Sequence, residues 1–206
     1  LLDVAMFSNR DFALACALIF FLMFDIITFL LYYNLFAQAH SGLGLSAVGA
    51  GLSLVPLSIA LFGFARSASS LATVGGLRRL LLGGWFLLAI GCAIVGVSQT
   101  QARIVTLMLG LFAVGAGIAL PYASVPRLGL TTLPQTQTGK GSGILNTCSF
   151  LGGTVGVTCG GIVFGVAGFS GVLVLLGLTA IVGVALTLPL RDRRKCQTQT
   201  EESDDH

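Results

Sequence analysis

The chain has 206 residues, 55% of them hydrophobic and only 9% charged, against about 25% charged in an ordinary soluble domain. That is too little charge to coat a soluble surface, and the formal net charge of +3 comes without the basic face and aromatic platforms that nucleic-acid binding needs. Composition therefore excludes a soluble globular protein and a nucleic-acid partner, and it predicts an all-α integral membrane protein in a lipid bilayer.

In chain order, the charges fall at intervals and leave apolar stretches long enough to cross a hydrocarbon core, which takes about 20 helical residues. Residues 1–11 read as a short cytoplasmic segment, 12–190 as a bundle of six transmembrane helices, and 191–206 as a disordered cytoplasmic tail, basic beside the membrane and acidic at its end. The predicted spans are 12–36, 47–65, 80–97, 104–125, 144–166 and 172–190. Six helices apolar all round would leave a soluble protein no face for water. The first is too long for the core of a secretory signal, and no small-residue cleavage site follows it. The chain opens on Leu1, which reads as part of a longer protein. With Leu1 inside, the loops alternate sides and every Lys and Arg except Arg103 lies in the cytoplasm. That imbalance is the positive-inside signature; it places both termini in the cytoplasm.

The first span carries an acid in the middle of "FFLMFDIITFLLYYN" at 20–34. A charge at the bilayer centre costs about 2.5–3.5 kcal/mol on the insertion scale, while each Leu, Ile or Phe returns about 0.3–0.6. The apolar neighbours of Asp25 can offset that cost without explaining it. Helical spacing puts Thr28 and Tyr32 on the same side as Asp25, with Asn34 roughly opposite. A stripe of Asp25, Thr28 and Tyr32 predicts a wet internal cavity in which Asp25 binds a proton or cation, because acids within membrane spans are functional by default. The alternative is a structural acid hydrogen-bonded to a neighbouring helix.

Pro56 in the second span and Pro121 in the fourth each remove a backbone N–H and favour a kink. Residues 125–141 read as a cytoplasmic connector, with Arg127 and Lys140 as headgroup anchors. In the fifth span Gly152, Gly156 and Gly160 recur every fourth residue, a spacing that lets another backbone approach closely. "GKGSG" at 139–143 is not a phosphate loop, since Pro134 and Gly141 stand where that motif needs Gly and Ser or Thr. Two histidines, His40 and His206, and five cysteines without CxxC spacing form no metal motif. No metal, no cofactor and no enzymatic activity are expected.

"FSNRDF" at 7–12, "GLSAVGAGLSLVP" at 44–56 and "GKGSGILNTCSFLGGTVGV" at 139–157 open the first, second and fifth spans. In that order and at those boundaries they resemble the C-terminal half of major facilitator superfamily transporters, most narrowly the fourteen-span drug:proton antiporters of the EmrB/QacA type. The resemblance implies one six-helix half of that fold, with an N-terminal half of the same transporter as partner. It also implies a small hydrophobic or cationic substrate, a proton gradient as driving force, and a central cavity lined by spans 12–36 and 104–125. The cytoplasmic loop typical of the family, similar to "LADRFGPRR", reads "LATVGGLRR" at 71–79 here; Thr73 replaces the acid, while Arg78 and Arg79 remain as the expected loop gate. Ser149 stands where many members carry a basic residue. The expected function is multidrug efflux by proton-coupled alternating access. The other reading is a membrane-embedded structural or channel subunit without proton coupling. A membrane enzyme would need a nucleophile, a base and a metal at one interface.

Overall fold

In hydrocarbon each backbone N–H and C=O must be satisfied within the protein, and helices achieve this segment by segment. A computed structural model describes residues 9–40, 42–101 and 104–189, which are nearly all helical and contain no strand. The helices are α1 (Arg10–Gln38), α2 (Ala47–Ser53), α3 (Val55–Gly75), α4 (Leu77–Gln101), α5 (Ile104–Thr131) and α6 (Thr138–Thr187), with a 3-10 turn at Gln135–Gln137. The all-helical membrane fold read from the sequence is thus observed. The tail at 191–206, residues 1–8 of the first segment, and Arg103 lie outside the described residues.

Two of the three opening motifs act as caps. The side chain of Asn9 in "FSNRDF" accepts a hydrogen bond from the Asp11 N–H at 3.2 Å, and its amide donates to the Thr132 carbonyl at 3.1 Å. One residue therefore starts α1 and ties it to the end of α5. Ser46 does the same for α2, accepting from the Gly49 N–H at 3.2 Å. Each satisfies a donor that a helix start leaves open.

The described residues include five helices long and apolar enough to cross a membrane, where the sequence predicts six spans. The difference lies in α6, whose 50 residues would reach about 75 Å at 1.5 Å per residue, against a hydrocarbon core of about 30 Å. Gly168 breaks it with φ 64° and ψ −162°, a conformation open chiefly to glycine. It separates an arm at 138–167 from an arm at 169–187. The second predicted span is divided too. The helix is interrupted at Leu54, and Pro56 falls in the first turn of α3, where its missing N–H leaves no helical bond unmade.

Two expected loops prove to be mostly helix. At 71–79, α3 runs to Gly75 and α4 starts at Leu77, with only Gly76 between them at φ 78°. Arg78 and Arg79 accordingly sit in the first turn of α4 and not in a loop. At 125–141 helix covers both ends, so the connector shrinks to 132–137. Apolar runs mark the bilayer, whereas helices continue into the interface, where water and headgroups tolerate charge.

α1 lies between the two arms of α6. Along the 138–167 arm it runs parallel in one constant register: Cys16 faces Cys148, Phe20 faces Gly152, Phe24 faces Gly156, Thr28 faces Gly160 and Tyr32 faces Phe164. Glycines seat α4 on α5 in the same manner, with Gly84 against Pro121, Gly117 against Leu88, Gly91 against Val114 and Gly110 against Val95. Close backbone approach gains dispersion energy where lipid offers no hydrophobic drive.

The first rung of the ladder supplies a check on its register. The Cys16 and Cys148 thiols are free and lie beside each other, and a disulfide forms only between cysteines whose Cα atoms stand within about 7 Å. With Cys92, Cys159 and Cys196 replaced by Ala, copper-phenanthroline should remove both remaining thiols from maleimide labelling together, each giving up one proton to water and one electron to Cu(II) as the S–S bond forms. Loss of one thiol alone, or of neither, would contradict the register.

Candidate functional site

Asp25 sits midway along α1 with 1% of its surface exposed. Its Oδ1 accepts a hydrogen bond from the Thr179 hydroxyl in the 169–187 arm at 2.5 Å, while Oδ2 is buried without a partner. Cys92 of α4, 2% exposed, lies close to the same carboxyl. Asp25 thus stands where α1, α4 and the last arm of α6 meet.

Thr28 and Tyr32 are equally enclosed, at 0% and 5% exposure, but they turn to the other arm. The Thr28 side chain lies beside Gly156 and Gly160, and its hydroxyl oxygen has no hydrogen-bond partner. The Tyr32 hydroxyl donates to the Val157 carbonyl at 2.6 Å, and its ring packs on Phe164 with centroids 5.2 Å apart. The expectation of one continuous stripe facing a wet cavity is therefore corrected. All three polar groups are enclosed by helices, Asp25 against one arm of α6 and Thr28 with Tyr32 against the other. The physical reason is the glycine face. It draws α1 so close to the 138–167 arm that Thr28 and Tyr32 become the contact itself.

A Cβ on Gly152 would collide with the Phe20 carbonyl; one on Gly156 would come within 2.5 Å of Thr28 Oγ1 and 2.7 Å of the Phe24 carbonyl; one on Gly160 would come within 2.5 Å of the Tyr32 ring. Arg78 is half-buried with its Nε unpartnered, and Arg79 is exposed. Both lie at the start of α4, apart from the Asp25 group. The described residues hold no cluster of three or more metal-ligating side chains.

Sequence reasoning passed over Thr179 and Cys92. A signal for the first was present: Thr179, Gly183 and Thr187 recur every fourth residue in an otherwise apolar span. Gly183 receives the ring of the fully buried Trp85, and the Thr187 hydroxyl donates to the Gly183 carbonyl at 2.7 Å. This small-residue face seats α4 as the other glycine face seats α1. Cys92 carried no signal, since a cysteine in a span is most simply a small apolar residue.

No protein-family model matches the chain. It is 28% identical over 156 residues to the multidrug resistance protein Stp of Mycobacterium tuberculosis (strain H37Rv), covering 76% of this chain and 28% of Stp. It is 28% identical over 125 residues to MdtD of Pectobacterium atrosepticum, also named for multidrug resistance, covering 61% of this chain and 27% of MdtD. MdtD of Yersinia pestis (strain Pestoides F) is 29% identical over 124 residues, with 60% of this chain and 27% of MdtD covered. The matched segment is thus less than a third of each relative's own length. These relatives bear out the resemblance of the chain to the EmrB/QacA-type drug:proton antiporter group of the major facilitator superfamily.

Proposed function

We propose that this chain is the C-terminal six-helix half of a multidrug efflux antiporter that exchanges a small hydrophobic or cationic compound for protons. Its N-terminal half supplies the other wall of the path, and transport proceeds by rocking of the halves about a midplane site. Asp25 is the proton-binding group, with both termini in the cytoplasm of a plasma membrane and Arg78 and Arg79 at the cytoplasmic gate. Thr28 and Tyr32 serve the same site by fixing α1 against the 138–167 arm, so that a change at Asp25 is felt along the whole ladder. The observation that carries this reading is the carboxyl at 1% exposure in the middle of a membrane span, with one oxygen on Thr179 and the other unpartnered. An acid so placed is costly to keep, and the names of the relatives give the cost a purpose.

The second reading keeps Asp25 as a structural acid that pins α1 to α6. The Thr179 bond favours it, because it ties the Asp25 side chain directly to a side chain of α6.

The complete transporter in inverted vesicles tests exchange. With an acid interior imposed, adding a lipophilic cation should dissipate the pH gradient as drug enters and protons leave, and vesicles lacking the transporter should hold the gradient. A gradient that is indifferent to drug while drug still accumulates would overturn proton coupling.

A further inference from the structure

The Thr179 hydroxyl lies within hydrogen-bonding distance of three acceptors: Asp25 Oδ1 at 2.5 Å, the Leu176 carbonyl at 2.9 Å and the Leu175 carbonyl at 3.2 Å. It owns one hydrogen, together with two lone pairs that can accept. Donated to Asp25, that hydrogen leaves the hydroxyl oxygen facing both carbonyl oxygens with nothing between them. Donated to Leu176, it leaves the contact with Asp25 Oδ1 without a hydrogen unless the acid supplies one. The chain Oδ1–H to Oγ1–H to the Leu176 carbonyl is complete only when Asp25 is protonated.

We propose that Thr179 is the positioning residue that carries the protonation state of Asp25 into α6, its one hydrogen pointing to the carboxylate when the acid is ionised and to the Leu176 carbonyl when the acid is protonated. This rests on the reading of Asp25 as the proton site. The balance is simple. A proton adds to Oδ1, the new O–H donates to Thr179 Oγ1, and the hydroxyl rotates about its Cβ–Oγ bond with no bond broken at Thr179. Ionisation reverses each step. The bond to the ionised acid is charge-assisted and roughly twice as strong as a neutral one, so an ionised Asp25 draws Thr179 away from its own backbone.

The consequence falls on the 169–187 arm. A threonine that bonds back to a carbonyl in the preceding turn bends its helix slightly, and here that bond exists in one protonation state only. The arm ends at Gly168, whose non-helical conformation lets it change direction without unwinding a helix. Among the described residues Cys92 of α4 is a titratable side chain close to Asp25, Tyr122 and Arg127 of α5 are exposed, and Cys148 of α6 lies beside Cys16.

The test is solid-state NMR of the full chain in lipid bilayers, labelled with 13C-threonine and 13C-aspartate. The Thr179 signals are assigned by their loss in Thr179→Val, and the Asp25 carboxyl signal by its loss in Asp25→Asn. In the wild type the Thr179 Cβ shift should move with pH along the same curve as the Asp25 carboxyl, and in Asp25→Asn it should be flat. If the Asp25 carboxyl titrates while Thr179 stays fixed, the coupling is wrong and the proton site stands. Absence of titration in both overturns the two together. In the complete transporter Thr179→Ser, which keeps the hydroxyl, should retain exchange, whereas Thr179→Val should lose about tenfold, the worth of one charge-assisted hydrogen bond. Equal rates in the two variants would count against the proposal.

Discussion

Asp25→Asn, introduced into the complete transporter, should abolish proton-driven efflux while leaving the protein in the membrane at normal levels. The amide is nearly the size of the carboxyl, and its Oδ1 can still accept from Thr179, so the junction of α1 with the last arm of α6 keeps its packing. What disappears is the exchangeable proton. Insertion should become easier, since an acid at mid-span is among the costliest residues on the insertion scale. The measurement is drug-dependent collapse of an imposed pH gradient in inverted vesicles, with membrane abundance followed in parallel. Efflux that survives at the wild-type rate, with its pH dependence intact, would show that Asp25 is the structural acid of the second reading and that coupling resides in the other half. A variant that fails to reach the membrane would equally count for a structural role, because it would mean that the carboxyl itself holds the helices together.

How far the sequence revealed this arrangement differs between its levels. The apolar stretches announced a helical membrane protein because hydrocarbon leaves the chain little choice. Helix ends were less visible. Arg10, Arg78, Arg79 and Arg127 all lie within helices, beyond the apolar runs, where charge no longer marks a loop. Gly168 is one glycine among 28, and only its backbone conformation identifies it as the break in α6. Asp25 stood out as the one acid between Phe12 and Leu190, and the glycines at 152, 156 and 160 stood out by their spacing. The orientation of the polar stripe could not be read, because residues on one side of a helix diverge when that helix is wedged between two others. Asp25 turns to the 169–187 arm and Thr28 to the 138–167 arm, three positions apart. Thr179 was hidden for a related reason. Its sequence signal is a common small-residue pattern, and its partner lies 154 positions away, chosen by packing alone.

Gly156→Ile should have the second large effect, this time on the fold. The first carbon added to Gly156 would come within 2.5 Å of Thr28 Oγ1, 2.7 Å of the Phe24 carbonyl and 2.9 Å of the Phe24 Cα. Two of those three atoms are backbone of α1, so no change of rotamer removes the clash and the helices must separate. Overpacking a tight interior costs about 1–3 kcal/mol, and separation also forfeits the dispersion gained at the neighbouring rungs. We expect a loss of about 3 kcal/mol or more. Gly165→Ile is the matched control: it lies on the same arm, and an added carbon there meets nothing within 4 Å. Thermal unfolding of the purified chain in detergent should show Gly156→Ile far below wild type and Gly165→Ile close to it. Oxidation of Cys16 with Cys148 gives an independent reading of the same event, because a wedge at the Gly156 rung would pull apart the first rung two turns away. Equal melting and equal cross-linking in the two variants would mean that α1 does not rest on this glycine face. The ladder would then have to be abandoned, and with it the route by which a proton at Asp25 is felt along the helix.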